Sequence, residues 1–215
     1  MRTLLLFLAG CAVALIVVLM TRGGTGVANN NKAEIAAALR EQVSGPRFSY
    51  KPGHYPQISL PGGEKATIKS LLNMDKPMRF GSHMWNEEGV GPGKIWVRVD
   101  LGRQLLSVFR DGHEIGTTVI LFGTDGKPTP TGAFKIRMMQ ADYHSRTYDA
   151  PMPFALMLTD DGVAIHGSNV RDGSATHGCI GVPLNFARLL FAQVKKDDQV
   201  YILPAAAPIT PTTKS

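Results

Sequence analysis

A mainly β domain, antiparallel and packed sheet on sheet or curled into a barrel-like sandwich, is the fold class that three observations predict for the second half of this chain. Ile95, Val97 and Val99 alternate with Trp96, Arg98 and Asp100, the two-residue period of a strand. Asp-Gly pairs at 111–112 and 161–162 each separate two β-rich runs, a strong hairpin signal. Only one late stretch, Phe186 to Val194, reads as a convincing helix. Short, closely spaced strands with tight turns and one or two short helices bury their apolar faces best as packed antiparallel sheets.

From the N-terminus, Thr3 to Met20 is an apolar run without charge, flanked by Arg2 and Arg22. Residues 21–33, rich in Gly and Asn, read as a flexible tether. A short helix candidate runs from Glu34 to Val43 and stops at Gly45-Pro46. Residues 46–63 carry Pro46, Pro52, Gly53, Pro56 and Pro61, which predicts irregular chain with little helix or strand. Thr67 to Asn73 reads as one or two helical turns. The strands then follow: one beginning at Ile95, then Gln104–Arg110, Ile115–Phe122, Gly132–Met138, Phe154–Leu158, Val163–His166 and Gln199–Leu203. The division predicted is an anchor or signal segment over 1–22, a tether and irregular extension over 23–93, a catalytic domain over 94–204 and a tail over 205–215.

The apolar run is eighteen residues long, just enough to span a bilayer as a helix. It is long for a cleaved signal, although Gly26-Val27-Ala28 offers small residues for a peptidase. An uncleaved inner-membrane anchor is therefore favoured over a cleaved signal. A lipoprotein reading of Leu8-Ala9-Gly10-Cys11 fits less well, because the apolar run continues past Cys11. Each reading exports the remainder, predicting a periplasmic location, anchored or released. The formal net charge is +6, of which Arg2 and Arg22 supply two; the rest is mild and would favour an anionic envelope surface only weakly. No basic run interleaved with aromatics points to nucleic acid.

The exported part holds a single cysteine, Cys179, which has no partner in its own chain for a disulfide. An unpaired thiol in an oxidising compartment is a hazard unless it is buried or useful. Cys179 stands in Thr176-His177-Gly178-Cys179-Ile180, thirteen residues after His166. A thiol beside an imidazole can become a thiolate nucleophile, and Gly178 lets a substrate approach the backbone. Packing of a small hydrophobe is the bland alternative. Zinc is a third, weakened because His166, His177 and Cys179 are only three ligands. His166 ends one strand and Cys179 begins another, and the glycine-rich loop between them is flexible enough to bring ring and sulfur together.

These residues resemble the L,D-transpeptidase catalytic domain family, often called YkuD-like, over roughly Lys94 to Leu203. The resemblance rests on Val99-Asp100-Leu101 with Gln104-Leu105 and Asp111-Gly112, on Thr129-Pro130-Thr131-Gly132-Ala133-Phe134, on Met152-Pro153-Phe154, on Gly162-Val163-Ala164-Ile165-His166-Gly167, and on Thr176 to Ile180. It implies that family's β fold and a cell-wall enzyme that forms a Cys thioester with a peptidoglycan tetrapeptide stem and passes the acyl group to an amine. It also implies roles. Cys179 is the nucleophile and His166 the base, with the Gly167 carbonyl orienting the ring. Amides around His177, Gly178 and Cys179 form the oxyanion hole, while His177 shapes the site. Thr176, Ser168 and Tyr148 are candidate substrate-binding residues. Metal and cofactor are not implied, the partners expected are stem peptides and the membrane, and a monomer is expected. Hydrolysis of the same bond, as an L,D-carboxypeptidase or endopeptidase, and an idle wall-binding domain are the alternatives. The family usually has Arg or Asn where Gly181 stands, a departure that Arg171 or Arg188 could compensate.

Other features carry less. Gly123 to Gly132 is not a phosphate loop, because Lys127 is followed by Pro128. Thr129-Pro130-Thr131-Gly132 is as good a turn as a substrate wall. Tyr143, His144, Arg146 and Tyr148 suggest either a lid or a solvated loop, and Trp85 and Trp96 suggest packing.

Overall fold

The computed structural model describes residues 43–44, 47–124 and 126–205. The apolar run, the tether, nearly all of the Glu34–Val43 helix candidate and nearly all of the tail lie outside them. Among the described residues, no helix is long and apolar enough to cross a membrane. A two-residue strand, β1 (Val43–Ser44), comes first. The next strands are β2 (Arg47–Ser49), β3 (Gln57–Ser59), β4 (Lys65–Thr67), β5 (Ser70–Leu72) and β6 (His83–Trp85). The predicted strands appear as β7 (Ile95–Asp100), β8 (Leu105–Arg110), β9 (His113–Val119) and β10 (Gly132–Lys135). A long hairpin, β11 (Met138–Ser145) and β12 (Ala150–Met157), leads to β13 (Ala164–Ser168) and β14 (Ile180–Pro183), then α1 (Leu184–Gln193) and β15 (Gln199–Leu203).

The larger sheet runs β2-β5-β9-β8-β7-β15-β10, with β6 also paired to β9; a second sheet runs β11-β12-β13-β14. The main core lies between them. Ile95, Val97, Val99, Leu106 and Val108 from the first meet Leu156, Ile165, Ile180 and Val182 from the second. Phe186, Ala187 and Leu190 of α1 close the same core. The mainly β expectation is met, with parallel joins at β7–β15, β13–β14 and β5–β9 among antiparallel neighbours.

Two local readings are corrected. The segment 46–63 contributes β2 and β3, and Ser70–Leu72 is a strand, not a helical turn. Pairing at the edge of the larger sheet, Arg47↔Leu72 and Phe48↔Leu71, overrides weak local propensity. The segment is held by a buried cluster. Arg47 donates to Ser70 Oγ (3.1 Å) and to the carbonyls of Glu114 (2.5 Å) and Asn86 (2.6 Å), and the Leu72 amide donates to Glu114 Oε2 (2.9 Å). Burial pushes the Glu114 carboxyl above its usual range. Leu60 and Ile68 cover the outer face of β7, β8 and β15 around Trp96, Phe109 and Tyr201, with Trp96 stacked on Phe109 at 4.2 Å. Trp85 packs edge-on against Phe186 at 5.3 Å, so both tryptophans serve packing. The second difference is the run 138–157, read as a strand end and a loop, which is one continuous hairpin.

Candidate active site

The β13–β14 pairing is parallel, with Ile165 opposite Ile180 and His166 opposite Gly181. Because side chains alternate along a strand, Ile165 and Ile180 enter the core, while Ala164, His166 and Cys179 share the opposite face. Cys179 there packs on Met152, Ala155, Met157 and Ala164, next to Tyr143. It is the strand register, not a folding-back of the loop from Gly167 to Thr176, that brings ring and thiol to one face. The loop only returns the chain to start β14 in the same direction as β13.

His166 is half-buried, and its Nδ1 lies 2.9 Å from the Gly167 carbonyl oxygen. A carbonyl can only accept, so Nδ1 carries the proton and Nε2 is left as an acceptor. Burial lowers the imidazole pKa, against the opposing Gly167 hydrogen bond. Gly167 is glycine for want of space: a Cβ there would lie 2.9 Å from Leu184 Cδ1 and 3.1 Å from Pro153 Cγ. Cys179 is half-buried, and its thiol donates to the Gly162 carbonyl at 3.6 Å. Burial raises the thiol pKa, while a hydrogen bond from the Ala164 backbone and the charge of Lys127 pull it down and Asp161 adds to the rise. At rest the pair is thus a neutral thiol and a neutral imidazole.

Gly178 adopts φ +100°, a left-handed conformation that favours glycine. Its carbonyl accepts from Thr129 Oγ1 (3.0 Å), which itself accepts from the Gly123 amide (2.9 Å). Thr176 Oγ1 donates to the Cys179 carbonyl (2.5 Å), and the Thr176 amide to Phe122 O (3.1 Å). Leu121 and Gly181 exchange two 2.9 Å backbone hydrogen bonds. Among the described residues, neither the Gly178 amide nor the Cys179 amide donates to a backbone carbonyl.

His177 is exposed and stacks on Tyr148 (centroids 4.7 Å apart) at the tip of the β11–β12 hairpin, and Lys127 Nζ donates to Tyr148 Oη at 2.8 Å. Tyr143, His144, Arg146 and Tyr148 thus belong to the hairpin and its turn, with Tyr148 stacked on His177 of the loop that carries Cys179. Ser168 ends β13 on the His166 face, and a Cβ on Gly181 would lie 3.0 Å from Ser168 Cβ. A side chain at 181 would therefore require Ser168 to give way by a few tenths of an ångström. Arg171 is exposed and bound to Asn169 (3.0 Å), and Arg188 is on the exposed face of α1. Sequence reasoning did not single out Gly123, Lys127 and Gly162, and weighed Thr129 only as part of a turn or substrate wall. The Thr129-Pro130-Thr131-Gly132 pattern was a signal, but nothing in it says which loop it braces.

Residues 94–202, just over half of the chain, match the family model of the L,D-transpeptidase catalytic domain (YkuD). The chain belongs to this family. A search of curated proteins finds no match. Among solved structures, an L,D-transpeptidase from Stackebrandtia nassauensis is 24% identical, with 53% of this chain and 57% of that chain covered and a TM-score of 0.49. L,D-transpeptidase 1 from Mycobacterium tuberculosis is 24% identical (52% and 62% covered, TM-score 0.44). Another L,D-transpeptidase from M. tuberculosis H37Rv is 18% identical (53% and 59% covered, TM-score 0.47). The chain spans less than two thirds of the length of each of these three.

Proposed function

We propose that this protein is a cysteine-dependent L,D-transpeptidase of the cell envelope, acting on peptidoglycan tetrapeptide stems. The observation that carries the proposal is the β13–β14 register, which sets Cys179 and His166 on one face beside the left-handed Gly178. The thiol leaves the Gly162 carbonyl, His166 Nε2 takes its proton, and sulfur attacks the scissile carbonyl. The Gly178 and Cys179 amides, with His177 nearby, receive the developing oxyanion, an interaction of about 3–4 kcal/mol per donor in such sites. The imidazolium, held through Nδ1 on Gly167, returns the proton to the leaving amine as the carbon–nitrogen bond breaks. An acceptor amine then attacks the thioester and releases the thiol.

Thr176 holds the Cys179 carbonyl and so aims the neighbouring amides, while Ser168 and Tyr148 border the stem peptide. The catalytic part is residues 94–204, and the apolar run at 3–20 delivers it to the periplasmic side of the inner membrane. Incubation of the protein with a purified tetrapeptide muropeptide, read by mass, tests the reading. A cross-linked dimer that requires Cys179 supports it, a shortened stem alone marks a hydrolase, and no Cys179-dependent product overturns it.

A further inference from the structure

The Lys127 side chain belongs to a loop that packs on Gly178, the residue before Cys179. A Cβ on Gly178 would lie 3.7 Å from both Lys127 Cγ and Lys127 O. Beyond that contact the ammonium reaches Tyr148 Oη (2.8 Å) and sits 5.3 Å from the centre of the Tyr148 ring, which itself stacks on His177. The side chain is exposed, and the Tyr148 hydroxyl and ring hold its ammonium beside the loop that carries His177. Among the described residues, no carboxylate forms an ion pair with Lys127. Asp161 and Cys179 both favour its charged form. The ammonium can donate three hydrogen bonds, and among the described residues Tyr148 takes one of them.

We infer that Lys127, positioned by Tyr148, binds the free C-terminal carboxylate of the donor peptide and so makes the site selective for a chain end. The inference rests on the proposed peptide substrate. In a peptide whose last bond is cut, the terminal carboxylate is three bonds from the scissile carbonyl carbon, through the leaving nitrogen and its α-carbon. Lys127 flanks Gly178, and its charge is felt at Cys179, so the cation stands on the side of the site where that end of the peptide would lie. An amide at that end offers no charge, and an ammonium left without its partner gains nothing from it. Support of the thiolate is the competing role for the same cation, whose charge pulls the Cys179 pKa down. The two roles differ in which experiment moves.

Binding of two tetrapeptide stems, one with a C-terminal carboxylate and one with a C-terminal amide, is measured by calorimetry on the full chain carrying Cys179→Ala. The carboxylate form is expected to bind about ten-fold more tightly. Adding Lys127→Met should bring that ratio to about one, Lys127→Arg should preserve most of it, and the remote exposed Lys65→Met should leave it alone. Equal binding of the two stems, no binding of either, or an unchanged ratio in Lys127→Met overturns the inference. The thiolate role is read separately, as a change in the pH profile of Cys179 alkylation in Lys127→Met with no change in the ratio. Failure of the transpeptidase reading shows elsewhere, as the absence of a Cys179 thioester in the chain that retains its thiol.

Discussion

Gly123 and Gly178 meet backbone to backbone: a Cβ on Gly123 would stand 2.7 Å from the Gly178 nitrogen and 2.2 Å from the Lys127 carbonyl oxygen. Neither neighbour is the movable end of a side chain, so any residue larger than glycine must displace the Lys127 loop, the loop that carries Cys179, or both. Gly123→Ala is therefore expected to reduce Cys179 acylation at least ten-fold, while costing about 1–3 kcal/mol of stability, as overpacking does. Acylation by a carbapenem, followed by intact mass, and a denaturant midpoint check the two effects. An alanine variant with normal acylation would show that the loop moves freely.

Thr129 ties the same contact together through one hydroxyl. Thr129→Val keeps the shape but strands the Gly123 amide and the Gly178 carbonyl in a buried place, at about 1–3 kcal/mol for unsatisfied buried groups. Thr129→Ser should restore both stability and acylation. If valine and serine behave alike, the hydroxyl bridge has no part in holding the loop.

The pair Cys179 and His166 predicts a particular pH response. Burial raises the thiol above its ordinary 9.0, so alkylation by iodoacetamide should be slower at pH 7 than for a free cysteine and rise as pH passes 9. Burial lowers His166 below 6.5, so the ring is neutral at pH 7 and acylation should fall off only as pH drops below 6.5. His166→Gln removes the base and should reduce acylation by about 10²–10⁴. Fast, pH-independent alkylation at neutral pH would mean a thiolate is already present at rest.

Much of this was legible in the sequence, for identifiable reasons. Strands β7, β8 and β15 announce themselves because alternation and Asp-Gly turns are local, and the Thr176–Ile180 motif is local too. The covering strands β2 and β5 are not legible, since three-residue segments gain their conformation from an edge supplied by β9. The outer half of the β11–β12 hairpin hides behind exposed, polar alternation, with Tyr148 visible only as one aromatic in a loop. Lys127 and Thr129 could not be placed, because their partners, Tyr148 and Gly178, lie 21 and 49 residues away and are joined by tertiary packing. The parallel β13–β14 register falls between the two: both segments read as strands, but their direction was not written in either.

Acid stability should report on the cover over the larger sheet. His83, His113 and His166 all have pKa values lowered chiefly by burial, and His113 is bonded to Ser70 Oγ at 2.9 Å through Nδ1. Each ring binds its proton less readily folded than unfolded. Their contribution is therefore fully present above pH 6.5 and is lost as pH falls below 6.5 toward the lowered folded values. The urea midpoint is expected to be level between pH 7 and 8 and to decline on the way to pH 5. His113→Gln, which retains a hydrogen-bonding partner for Ser70 but cannot titrate, should flatten part of that decline without moving the midpoint greatly at pH 8. A decline of unchanged slope in His113→Gln would place the acid sensitivity elsewhere, in His83, His166 or the carboxylates that pair with arginine.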